Sequence, residues 1–107
     1  MITNILEIIM TNPKDRLNII RNRINEIDEQ LIKLMAERTQ FAGEIANLKS
    51  ELNMPINDEE REHHIKETIK SLCNKYDFDS NLSLEILTLL MEHSKELQKK
   101  ACEKKNI

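Results

Sequence analysis

Residues 17–48 read LNIIRNRINEIDEQLIKLMAERTQFAGEIANL, and their apolar side chains recur at alternating intervals of three and four. The stripe runs Leu17, Ile20, Ile24, Ile27, Leu31 and Leu34, is interrupted by Arg38, and resumes with Phe41, Ile45 and Leu48. That spacing is the seam of a long packed α-helix. A guanidinium on such a seam leaves water, and an unpaired buried charge is costly, so Arg38 requires an anionic partner. Two arrangements supply one or avoid the need. Either Arg38 pairs with an internal Glu or snorkels off the seam, or it faces a pocket that receives an anion.

The composition agrees with an all-α protein. The 107 residues include one Gly and two Pro, 33% are charged, and the periodicity is helical throughout. A chain of this length is one domain, and a small one for burying a core by itself. Tyr76, Phe41 and Phe78 are the only aromatic residues, which argues against nucleic-acid binding by base stacking. Net charge is −3, and the basic residues form no block beyond Lys99-Lys100 and Lys104-Lys105. No nucleic-acid partner is expected, and attraction for an anion must be local.

No segment approaches membrane-spanning length, and residues 1–12 lack the basic and small-residue features of a signal peptide. Cys73 and Cys102 form no CxxC and have no His at ligand spacing, which fits free thiols in a reducing compartment. The expectation is a cytoplasmic protein with an N-terminal extension over 1–12 and a helical domain over 13–107.

Asn12-Pro13 is a helix start, a capping side chain followed by Pro at the first helical position, with Asp15 in the first turn. The heptad predicts one helix to about Leu52, roughly 55–60 Å long at 1.5 Å per residue. Two shorter helices cannot cover that length, so the seam implies a second copy of the chain. Asn53-Met54-Pro55 ends the helix, because Pro55 disfavours the α region for Met54. Asn57 or Asp58 caps a second helix to about Lys75, with Ile65, Ile69, Leu72 and Cys73 on one face. Asp79 or Ser80 caps a third, from about Asn81 to Lys100 or beyond.

The third helix repeats the interruption. Leu87, Met91, Ser94, Gln98 and Ala101 alternate by four and three, so two uncharged polar groups fall on a core face. The second helix opens with Asp58, Arg61 and Glu62, one turn before Ile65 on the same face. Singly these have ordinary explanations: Ser back-bonds to its own helix and Asp58 is a cap. Together they bring polar groups from three helices to one level, which makes a polar cavity in a bundle. Lys49 lies eleven residues, or three turns, after Arg38, within ~20° on the same face and about 16 Å along the axis. The two could bracket one small dianion. Arg21, on the flank of the seam, is ~42 Å from Lys49 along a straight helix. It is therefore a surface residue or one donated across a dimer interface.

Other residues carry less. The adjacent His63-His64 point to different faces and lack the spacing of a zinc site. No nucleophile–His–acid set and no Gly-rich phosphate loop is present. Gly43 costs about 1 kcal/mol within a helix and permits close helix approach.

These residues resemble those of the all-helical chorismate mutases of the bacterial small-domain type, over residues 14–100. The matching blocks are R-x-x-I-x-x-x-D-x-x-L-I-x-L-M-A-E-R from Arg21 to Arg38, then Lys49, P-I-x-D-x-x-R-E from Pro55 to Glu62, and S-x-x-x-Q from Ser94 to Gln98. The resemblance implies an intertwined helical homodimer that converts chorismate to prephenate, on the way to phenylalanine and tyrosine, without a cofactor or metal. It implies that Arg38 and the partner subunit's Arg21 grip the substrate's two carboxylates, and that Lys49 and Gln98 donate to its ether oxygen. Asp58 and Glu62 would orient the ring hydroxyl, with Arg61 and Ser94 completing the polar lining.

One residue departs from the pattern. Lys95 stands where the family usually has a small apolar wall residue, and its ammonium either snorkels outward or points into the cavity. Two other functions remain compatible with the sequence. An isochorismate pyruvate-lyase shares the Arg/Lys/Gln framework, although Asp58 and Ser94 favour the mutase. A non-catalytic helical dimerisation or regulatory module explains the heptad and leaves the polar seam residues without a purpose.

Overall fold

The computed structural model describes residues 12–105, which are helical apart from short connections. Helix α1 spans Pro13–Gln40, α2 Ala42–Glu51, α3 Glu59–Tyr76 and α4 Ser80–Lys105. The chain divides into two units, one ending at Ala36 and one beginning at Glu37. The expected extension over residues 1–12 lies almost wholly outside the described residues.

The first unit contains the greater part of α1. The Asn12 side chain accepts a hydrogen bond from the Asp15 backbone N–H at 2.9 Å, so the expected cap is in place. Leu17, Ile20, Ile24, Ile27, Leu31 and Leu34 are between 40% and 61% exposed, and α1 has no buried residue. Over this stretch the seam predicted from the heptad is present and its apolar side chains are exposed.

In the second unit the helix expected to run to about Leu52 ends at Glu51 with Leu52 as its C-terminal cap, and its regular pattern lapses at one residue, Phe41. Phe41 keeps right-handed helical angles, φ −77° and ψ −12°, but its N–H bonds to the Arg38 carbonyl, three residues back, at 3.4 Å. This is a tightened 3₁₀-type closure. Gly43, two residues on, is a weak helix former and favours such a lapse. The Ile45 N–H returns to the ordinary pattern on the Phe41 carbonyl at 2.9 Å. Helix α2 then ends by local closure before Pro55 can act. Asn53 is left-handed at φ 56°, which Asn tolerates, and Met54 N–H reaches back to the Lys49 carbonyl at 2.8 Å.

Asp58, of the two candidates, caps α3 by accepting from the Arg61 N–H at 3.0 Å. Asp77, at φ 51°, closes that helix in the same left-handed manner, and Asp79 caps α4 through the Leu82 N–H at 3.0 Å. Helices α2 and α3 both pack on α4. Their shared core is thin: Ala42 and Ala46 of α2, Cys73 of α3 and Met91 of α4 are its buried apolar members, with Gln98 and Ser83 beside them. Among the described residues no large side chain is fully buried. None of the described helices is long and apolar enough to cross a membrane.

Candidate active site

A cavity of about 510 Å³ opens in the second unit where α2, α3 and α4 meet. Its apolar wall includes Phe41, Ile45, Leu48, Ile56, Ile65 and Met91. Seven of the eight residues singled out from the sequence line it: Arg38, Lys49, Asp58, Arg61, Glu62, Ser94 and Gln98. The eighth, Arg21, is exposed on α1 in the other unit and is not a lining residue.

Gln98 is the polar centre of this arrangement and is only 4% exposed. Its carbonyl Oε1 accepts from Lys49 Nζ at 2.9 Å, and its amide Nε2 donates to Ser94 Oγ at 3.0 Å. Lys49 therefore fixes which end of the amide is which. The oxygen is held toward the ammonium, and the N–H₂ end carries a second proton beyond the one given to Ser94. Lys49 also donates to the Ile56 carbonyl at 2.6 Å, which uses two of its three protons and leaves one.

The charges divide into satisfied and unsatisfied groups. Glu62 is paired with Lys95 at 3.1 Å, and Asp58 is engaged as the α3 cap. Arg38, Lys49 and Arg61 take part in no ion pair among the described residues, although all three line the cavity. The internal Arg–Glu pair that would have explained Arg38 is absent there. The site is a concave surface with an excess of unpaired cationic donors, and it suits a small polyanion.

Besides the apolar wall, two charged lining residues fall outside the set that the sequence assigns to the site. The sequence allows Lys95 two orientations, and it lines the cavity. The signal was available: Lys95 falls four residues after buried Met91 and three before buried Gln98, the spacing of the packed face. Its ammonium binds Glu92 at 2.9 Å as well as Glu62 and Asn57. The hydrogen bond to Glu92, and then those with Glu62, raise its pKa above the ordinary lysine value against the opposing effect of burial. Lys95 is charged at any physiological pH. Glu44 is the second addition; it precedes Ile45 on the cavity wall, and nothing in the polar pattern distinguished it from a solvated face. Among the described residues no group of three His, Cys, Asp or Glu side chains is placed to hold a metal ion.

The chain has relatives among known proteins. The family model for chorismate mutase type II matches residues 20–99. The chain is 43% identical over 89 residues to a chorismate mutase of Methanocaldococcus jannaschii, covering 83% of this chain and 90% of that protein. It is 38% identical over 88 residues to a bifunctional chorismate mutase/prephenate dehydratase of Buchnera aphidicola, covering 82% of this chain and 23% of that longer protein. Among solved structures, it is similar to the NMR structure of monomeric chorismate mutase from Methanococcus jannaschii, with a TM-score of 0.65 and 38% identity. That match covers 85% of this chain and 95% of the other.

Proposed function

The chain belongs to the chorismate mutase type II family, and from that premise we propose how its residues rearrange chorismate to prephenate. It is a chorismate mutase, an isomerase of aromatic amino acid biosynthesis. The observation that carries the site assignment is the convergence of unpaired Arg38 with the Lys49–Gln98 hydrogen bond in one cavity.

The reaction is a Claisen-type rearrangement within one molecule. The ether C–O bond breaks as a C–C bond forms, no proton changes hands, and no covalent intermediate with the protein is required. Two effects accelerate it. Cationic donors hold the two carboxylates so that the reacting carbons lie in a compact conformation. Donors fixed beforehand around the ether oxygen then stabilise the negative charge that grows there as the bond lengthens.

Arg38 is the natural holder of one carboxylate, because a guanidinium presents paired donors to a carboxylate and this one has no ion-pair partner among the described residues. Lys49 and Gln98 are the donors to the ether oxygen. Each retains a proton beyond its contacts within the chain, and their mutual bond prevents either from turning away. Asp58 and Glu62 are acceptors suited to the ring hydroxyl, while Arg61 and Ser94 complete the polar lining. The direct test is incubation of the purified protein with chorismate and identification of the product. Prephenate supports the assignment; pyruvate released from isochorismate, with none of the rearranged product from chorismate, would identify a lyase instead.

The second carboxylate calls for another cation, and the homodimer supplies one. Six apolar residues of the α1 seam are exposed, while among the described residues no large side chain is fully buried. Association along this seam removes that surface from water and brings the partner subunit's Arg21 to the cavity. Light scattering at micromolar concentration is expected to give twice the chain mass. A fully active monomer would overturn this assembly, and the monomeric Methanococcus jannaschii relative makes it an outcome worth seeking.

A further inference from the structure

The cavity holds a carboxylate that the rearrangement of a dianion would be expected to avoid. Glu62 lines the same space that must accept two negative charges, and its side chain is only 22% exposed. A like charge placed there without compensation weakens binding of an anion. Compensation is present. Lys95 Nζ lies 3.1 Å from Glu62 Oε1, and the lysine side chain is itself 19% exposed.

The same ammonium makes two further contacts. It donates to Asn57 Oδ1 at 3.2 Å, in the connection between α2 and α3, and pairs with Glu92 at 2.9 Å, one turn back on α4. Lys49 from α2 binds the carbonyl of the preceding residue, Ile56, at 2.6 Å. Two lysines from two helices thus hold consecutive residues of the segment that leads into Asp58 and the first turn of α3. Glu92, itself 60% exposed, gives the same ammonium a second carboxylate contact from within α4.

We infer that Lys95 is a positioning residue for the mutase reaction: it cancels the Glu62 charge inside the cavity and fastens the Asn57–Glu62 segment to α4. It occupies one oxygen of Glu62 and leaves the other to accept from the substrate hydroxyl. Its contribution falls chiefly on binding, because the two substrate carboxylates carry full charge throughout, whereas the charge that grows on the ether oxygen is partial and is met by Lys49 and Gln98. Removal of Lys95 therefore acts on KM and leaves kcat nearly unchanged.

The test is steady-state kinetics with chorismate on Lys95→Met, Lys95→Arg, Glu62→Gln and the double variant Lys95→Met/Glu62→Gln. Lys95→Met keeps an unbranched stem of similar size and removes the charge. It is expected to raise KM about tenfold with kcat within about twofold. Lys95→Arg keeps the charge and should stay close to wild type. In the double variant the uncompensated carboxylate is gone, so KM should fall well below that of Lys95→Met alone. A purely structural lysine would lower the melting temperature and kcat together, and neutralising Glu62 would not relieve it. The inference is overturned by an unchanged KM in Lys95→Met, or by a raised KM that Glu62→Gln leaves undiminished. It rests on the mutase assignment, and a wild-type protein that makes no prephenate overturns that assignment itself; an active wild type with unaffected Lys95 variants overturns this inference alone.

Discussion

Arg38→Ala is expected to lower kcat/KM for chorismate by about 2–5 kcal/mol, roughly 30- to 4,000-fold, the cost of removing one partner of a desolvated charge pair. Two features place it at the upper end. Arg38 has no ion pair among the described residues, so its loss leaves no internal carboxylate unpaired and acts on the substrate alone. The planar guanidinium also sets orientation as well as charge, and no neighbouring ammonium substitutes for it. Arg21→Ala should be similarly damaging if the residue is donated across the dimer. Each variant should remain folded, since Arg21 is exposed and Arg38, half-buried, takes part in no ion pair among the described residues.

Mixing the two inactive variants gives the decisive result. In a mixed dimer, one site combines the Arg38 of one chain with the Arg21 of the other, and both are intact. The second site lacks both. Random reassortment of the chains makes half the dimers mixed, so about a quarter of wild-type activity per chain should return. Heterodimers demonstrated by mass but without activity would exclude Arg21 from a shared site.

Gln98→Glu is expected to lower kcat about 10²-fold or more at neutral pH, and to recover in acid. The wild-type amide donates at any pH. A carboxyl group donates only when protonated, and when ionised it repels the charge developing on the ether oxygen. Its pKa is subject to opposed effects. Burial at a position 4% exposed, and a bound dianion, raise it; Lys49 Nζ, 2.9 Å from the native carbonyl oxygen, lowers it. In the free protein the ammonium competes with burial, whereas in the complex the substrate charge adds to burial. The profile of kcat, which reports the complex, should therefore begin its acid recovery at a higher pH than that of kcat/KM, which reports the free protein. The wild-type profile should remain flat across the same range. Parallel profiles for variant and wild type would mean that Gln98 lines the cavity without touching the reacting oxygen.

Much of this protein was determined by local sequence. The 3-4 alternation from Leu17 to Leu48 established the helical seam, and Asn12, Asp58 and Asp79 marked helix starts, because caps and periodicity depend on neighbours within one or two turns. Arg38, Ser94 and Gln98 were legible for the same reason: a polar residue on an apolar stripe is a discord visible without coordinates. The lapse at Phe41 was not, because the intervals between apolar residues are the same on either side of a tightened turn. The end of α2 near Leu52 was legible, although left-handed Asn53 closes the helix ahead of Pro55.

The tertiary structure decided what separate helices present to one another. Helix periodicity assigns a residue to a face but does not say which group from another helix meets it. Only the packing of α2 and α3 on α4 brought Lys49 against Gln98, which are 49 positions apart, and turned the amide oxygen toward the ammonium. The same packing drew Lys95 onto Glu62 across 33 positions, and converted an ambiguous surface lysine into part of the cavity. Such contacts depend on distances between helices, which no local interval encodes.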